Sequence, residues 1–169
     1  MTPKTQADST AMDEHYMAYA LEEACLASSE GEVPVGAVVV FNGEIIARAH
    51  NMVEALKQGS AHAELLAINA ASRALDAWRL DGCTLYVTKE PCPMCAGAMV
   101  CCRVPRLVFG SPDSRTGAAG GAFSITAMPN ALHTVDVTSG ILQEQCLAVI
   151  QDFFRRRRKE ASKRQDAKE

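Results

Sequence analysis

The strongest constraint on the fold of this chain is a pair of cysteines three residues apart, the first held between prolines: Pro91-Cys92-Pro93-Met94-Cys95. Proline fixes its own φ and lacks an amide hydrogen, so Pro93 suits the first turn of a helix. The spacing therefore predicts a helix opening at that point, followed by small residues, Ala96, Gly97 and Ala98, that permit close packing on a sheet. Thiols at i and i+3 of a first turn point the same way, so two thiolates can reach one ion. The positive helix end and a divalent cation both favour thiolate. In a chain of this composition a Pro-Cys-x-x-Cys arises by chance only about 0.01 times.

Around that helix the pattern reads helix, two strands, helix, strand, helix, strand, strand, helix. Thr10-Ala11-Met12-Asp13 forms a helix-start box, after which Met17, Ala20, Leu21 and Ala24 recur at helical spacing. Residues 35–41 are β-rich, Asn42-Gly43 signals a hairpin, and 44–50 return. Residues 51–60 form a polar loop. Ser60 is a candidate cap for a helix to about residue 75, with Leu65, Ile68, Ser72 and Leu75 on one side. Residues 84–88, 107–109 and 133–137 are further strands, and 110–121 form a loop rich in glycine and serine. The last helix begins near Ile141 and buries Leu142, Cys146, Val149, Ile150 and Phe153. There are no repeats and no linker. The expected architecture is a three-layer α/β/α fold, a mixed sheet of about five strands with helices on both faces.

Composition narrows the class. The chain has 169 residues, 48% of them apolar and 22% charged, which are globular values. Such a length buries roughly 68–70% of the unfolded surface without disulfides. No apolar run reaches the ~18 residues that cross a bilayer, and the polar residues 1–12 carry no visible export signal. Seven cysteines, an odd number, point to reduced thiols and a cytoplasmic location. The net charge of −3 is uneven: residues 153–169 carry eight basic and three acidic side chains, net +5, which leaves −8 elsewhere. Attraction to a polyanion would come from that segment, although such runs also serve only to solubilise.

His62-Ala63-Glu64 supplies what the cysteines lack. A His-x-Glu alone occurs by chance about 0.3 times and is weak. Beside the cysteine motif, His62 becomes a third ligand at the start of another helix. Three protein donors leave one tetrahedral position open, which marks catalytic rather than structural zinc. Two thiolates cancel the charge of the ion, so a carboxylate, Glu64, is needed to take and pass on a proton. Blander readings stand beside these. Cys101 or Cys102 could close a four-ligand structural site, His62 could be an ordinary helix-start residue, and Glu64 could merely favour the helix dipole. His15, His50 and His133 read as surface or structural, and Cys25, Cys83 and Cys146 as small core residues.

These motifs resemble the cytidine and deoxycytidylate deaminase superfamily and, within it, the bacterial tRNA-specific adenosine deaminases of TadA type. The similarity spans about residues 13–160. It includes Glu32-Val33-Pro34-Val35-Gly36-Ala37, His50-Asn51, Ala61-His62-Ala63-Glu64, Glu90-Pro91-Cys92, Thr116-Gly117-Ala118-Ala119-Gly120 and Asp152-Phe153-Phe154-Arg155. The resemblance implies a cytidine-deaminase-like fold, with residues 1–12 as a flexible N-terminus, 13–160 as one zinc-dependent deaminase domain and 161–169 as a frayed basic tail. It implies hydrolytic deamination of adenosine to inosine at the wobble position of an arginine tRNA anticodon. His62, Cys92 and Cys95 would hold one Zn²⁺ per subunit, and Glu64 would move the proton to N1. Asn51 and Val35 would meet the base, and Asp113 the ribose. Phe154, Arg155 and Arg157 would contact the anticodon stem-loop, whose nucleotides splay into pockets. A cytoplasmic homodimer without membrane contact is expected. The chain departs from the family pattern at Cys101-Cys102 and in the loop 54–60. Competing functions are deamination of a free base or nucleoside, guanine or cytosine, and a non-catalytic RNA-binding subunit, against which the intact Glu64 argues.

Overall fold

The computed structural model describes residues 6–166. Helix α1 (Gln6–Ser29) leads into the hairpin β1 (Gly36–Phe41) and β2 (Glu44–His50). A short helix α2 (Val53–Leu56) and helix α3 (Ala63–Ala74) follow, then β3 (Cys83–Lys89), α4 (Pro93–Cys101), β4 (Arg106–Ser111), β5 (Asp136–Ser139) and α5 (Gln143–Asp166). The strands form one five-stranded sheet in the order β2-β1-β3-β4-β5. The two pairings of β1 are antiparallel, whereas β3 with β4 and β4 with β5 are parallel. This is the mixed sheet expected, made partly parallel by the α4 crossover.

Alternation along the strands divides the core in two. Val39, Leu85, Leu107 and Phe109 face α3 and α4, while Val38, Val40, Tyr86 and Val108 face α1 and α5. Both faces are therefore covered, which is why the central strands read as continuous apolar runs. Asn42 and Gly43 both have positive φ, as a tight hairpin turn of the Asn-Gly kind requires. At Gly36, α1 comes so close that a Cβ would lie 2.0 Å from the Ala20 carbonyl oxygen.

Two polar clusters dock α1. Asp13 is buried and accepts both Nη groups of Arg106 (2.8 and 2.7 Å) and the Tyr86 hydroxyl (2.9 Å), linking α1 to β3 and β4. At the other end of α1, the His50 ring lies between Glu23 (3.1 Å) and Glu30 (3.0 Å), and Arg48 donates to Glu22 and Glu23. Burial lowers the pKa of His50, but these two carboxylates outweigh it and hold the ring above its usual value.

Several local expectations change. Helix α1 begins at Gln6 rather than at the 10–13 box, and Asp13 serves the core instead of a helix start. Residues 1–5 lie outside the described part. Helix α5 continues to Asp166 across the stretch read as a frayed tail, because Ala161, Lys163, Arg164 and Gln165 are good helix formers; residues 167–169 are outside the described part. The loop 51–60 contains α2. Strand β5 lies at Asp136–Ser139, shifted from 133–137. The buried face of α3 is made of Ala63, Ala67, Ile68 and Ala71, so Leu65, Ser72 and Leu75 are only half-buried. Cys25 is exposed because Ala24 and Ala27 occupy the inward positions of α1, whereas Cys83 and Cys146 are buried as expected.

Replacing Asp13 by alanine should lower the unfolding free energy by about 3 kcal/mol in a denaturant titration, since it strands a partly buried guanidinium. Because the folded-state pKa of His50 is raised, its contribution is fully present below pH 6.5 and fades as pH rises through the raised value. The stability lost in His50→Gln should be below about 1 kcal/mol at pH 6, the acidic partners being partly solvated, and should vanish by pH 9. Titrations across that range check it; a loss that grows with pH would contradict the assignment.

Candidate active site

Three strand ends converge where β1 begins, β2 ends and β3 ends. Helices α3 and α4 both start there. His62 caps α3 and Cys92 caps α4, each with extended backbone and with no side-chain hydrogen bond to its own helix end. Serine at a cap would turn its oxygen onto the helix, but Ser60 lies two residues too early to do so, and only its carbonyl takes part, accepting from the His62 amide (2.8 Å). The His62 and Cys92 side chains are thus free to face each other.

They do so at distances that suit a shared metal. Nδ1 of His62 lies 3.6 Å from the sulfurs of both Cys92 and Cys95, and the two sulfurs are 3.7 Å apart. A tetrahedral ion with metal–sulfur bonds of about 2.3 Å and metal–nitrogen bonds of about 2.0–2.1 Å spaces its donors by about 3.5–3.8 Å. The three residues therefore fit a zinc-like ion without rearrangement. Among the described residues no other group of three or more His, Cys, Asp or Glu converges in this way. Cys101 is exposed and Cys102 only half-buried, and neither joins the cluster, so the closed four-ligand site is not formed.

Protonation follows the same geometry. The hydrogen bond from Cys95, then that from His62, lowers Cys92 to about 3. The same bond to Cys92 raises Cys95, with burial and the Glu64 charge adding to it. Contact with the Cys92 sulfur raises His62. The pair thus holds one negative charge by itself, and a divalent cation is what lets both thiols ionise. Glu64, in the first turn of α3 and 4% exposed, has its carboxyl pushed up chiefly by burial.

A cavity of about 330 Å³ opens over these groups. His62, Cys92 and Glu64 form its floor, and Asn51, Val35, Val33 and Val53 line its walls. Asp113 does not line the cavity itself but lies behind two residues that do: its carboxylate takes the Lys89 ammonium, the Thr116 hydroxyl (2.7 Å) and the amides of Arg115 and Thr116. Burial pushes Asp113 up, but these donors prevail and hold it well below the usual carboxylate range.

Phe154, Arg155 and Arg157 do not line this cavity. Phe154 is exposed on α5, Arg155 pairs with Asp152, and Arg157 lies 5.7 Å over the ring of Phe153, which is itself buried. Arg156 donates to Ser28 Oγ (2.6 Å) at the end of α1, so the basic helix lies against the segment that runs on into Glu32 and Val33.

Of the site residues that were not singled out from the sequence, three organise it. Glu90 is buried and accepts the amides of Asp113 (2.8 Å), Ala119 (3.0 Å) and Gly121 (2.8 Å), so it pins the loop that carries Asp113. Glu32 is buried against Asn51 and α2. Lys89 lines the cavity and pairs with Asp113. The available signal was faint: each acid lies within a motif of the deaminase pattern, next to a strand end, where a charge usually means solvent.

Comparison with known proteins adds to this geometry. The family model for MafB19-like deaminases matches residues 11–158. A tRNA-specific adenosine deaminase of Bacillus subtilis is 51% identical over 147 residues, covering 87% of this chain and 91% of that protein. A solved structure from a study of A-to-I editing by tRNA:A34 deaminases superposes with a TM-score of 0.77 at 41% identity, covering 80% of this chain and 98% of the other. A guanine deaminase from Nitrosomonas europaea is more distant, with a TM-score of 0.72 and 27% identity over 83% of each chain.

Proposed function

The chain belongs to the MafB19-like deaminase family, among the tRNA-specific adenosine deaminases of the cytidine-deaminase-like superfamily, and on that footing we propose that it converts adenosine to inosine at the wobble position of a tRNA anticodon. The observation that carries the chemistry is the convergence of His62 Nδ1 with the two cysteine sulfurs beside a buried glutamate, His62, Cys92 and Glu64 lining one cavity with Cys95 directly behind them. The higher identity to the tRNA deaminases than to the guanine deaminase favours RNA over a free base.

His62, Cys92 and Cys95 would hold one Zn²⁺ per subunit. When bound, the ion supplies Lewis-acid activation of water. The chain's own residues do the rest. Water adds at C6 of the purine, and Glu64 takes its proton and delivers it to N1. That proton stays on N1 in the product; Glu64 then takes the second proton, from the hydroxyl added at C6, and gives it to the amino group, which leaves as ammonia while the C6 carbonyl of inosine forms. Burial holds the Glu64 carboxyl above its ordinary value, nearer to neutrality, as suits a group that must both accept and give a proton. Asn51 and Val35 flank the base, and Asp113, fixed by Lys89 and Thr116, faces the sugar of the target nucleotide.

A wobble base in an anticodon loop can leave its stack and enter a cavity of this size. Arg155 and Arg157 on α5, with exposed Phe154, would meet the stem-loop alongside the segment that leads into the cavity wall. The family match over 11–158 supports reading 13–160 as one deaminase domain between an N-terminal stretch 1–12 and a basic tail 161–169. A homodimer, an arginine tRNA substrate and a cytoplasmic location complete the proposal. No helix among the described residues is long and apolar enough to cross a membrane.

Glu64→Ala should keep its zinc by metal analysis while inosine formation on an anticodon stem-loop falls by about 10²–10⁴-fold. Undiminished inosine formation by that variant would refute the proton-carrying role.

A further inference from the structure

Asn51 is a polar group on the cavity wall, and its amide could in principle face either way. Its Nδ2 lies 3.1 Å from Oε2 of Glu32, which is 2% exposed. The same carboxylate receives the Glu54 amide (3.2 Å) and the Ala55 amide (2.7 Å) at the start of α2. A carboxylate offers acceptors only, so turning the Asn51 amide over would set oxygen against oxygen inside the protein. Among the described residues no hydrogen bond reaches Asn51 Oδ1, and no buried side-chain nitrogen or oxygen lacks a partner. That oxygen therefore keeps open surface, and the surface Asn51 shares is the cavity.

We infer that Glu32 is a positioning residue for the deamination: it locks the Asn51 amide so that Oδ1 and the second Nδ2 hydrogen are presented together to the base. An acceptor beside a donor matches the N6 amino group beside N7 of adenine, the pairing asparagine makes with that edge elsewhere. Both carboxylate oxygens of Glu32 are already engaged by protein donors. It acts through Asn51, and through α2 it also fixes Val53 and Glu54 on the same wall. The inference rests on Asn51 contacting the target base, as proposed above.

The test compares two stem-loop substrates, one with adenosine and one with 7-deazaadenosine at the wobble position, which lacks the N7 acceptor. Zinc content and melting temperature are measured for every variant. Asn51→Ala and Glu32→Ala should each lose about tenfold or more in kcat/KM on adenosine, and much less on the analogue, where the contact is already missing. Glu32→Gln retains an acceptor oxygen and should show a smaller loss with the same substrate dependence; it also serves if the alanine variant folds poorly. If the Asn51→Ala loss shrinks on the analogue but the Glu32 losses are equal on both substrates, Glu32 merely supports the wall and the inference is overturned. If the Asn51→Ala loss is itself equal on both, the base contact does not exist, and the reading of Asn51 falls together with the inference.

Discussion

Three donor atoms on two different helices lie within 3.7 Å of one another, and the rest of the fold is arranged to bring them there. Neither helix could do this alone. The first turn of α4 offers two sulfurs, and the nitrogen must come from the cap of α3. Both helices lie on the same face of the sheet and start at the same edge, because β3 runs straight into α4 while β2, running the same way on the far side of β1, ends at that edge and leads through α2 into α3. Cap positions suit the task, since their backbone is extended and their side chains need not follow the helix surface. The cost is that neither cap satisfies its own helix end, and the donors stay available to an ion.

Buried carboxylates carry much of the remaining organisation. Asp13 ties α1 to the sheet through Arg106 and Tyr86. Glu90 gathers three amides of the loop that carries Asp113, and a Cβ at Gly117 or Gly121 would collide with it. Glu32 joins Asn51 to α2. Each of these acids accepts hydrogen bonds that would otherwise be missing, so desolvating it is offset. Glu64 differs: it faces the cavity beside the thiols, and its carboxyl is pushed up, as suits a group that must change protonation during turnover.

Much of this was legible in the sequence, and the reasons differ by element. The metal site was readable because chemistry fixes spacing: two thiols one turn apart behind a proline have few uses besides gripping an ion, and they lend meaning to a histidine motif that is weak by itself. The hairpin was readable because Asn42-Gly43 meets a backbone requirement few residues satisfy. The core strands were readable from β-branched runs. The boundaries of α1 and α5 were not, because residues 7–12 and 159–165 are almost all exposed and no apolar stripe marks them. Cys25 was misplaced because a helix face is decided by its neighbours, and Ala24 and Ala27 won the inward side. Glu32 and Glu90 escaped notice because an acid's burial depends on backbone amides that arrive from distant segments.

The proposed chemistry stands on the donor set, and X-ray absorption at the zinc edge of the zinc-loaded protein tests it most directly. The expected shell holds two sulfurs at about 2.3 Å, one nitrogen at about 2.0–2.1 Å and one further light atom, the position left open for chemistry. Three or four sulfurs, or a shell of light atoms alone, would contradict it.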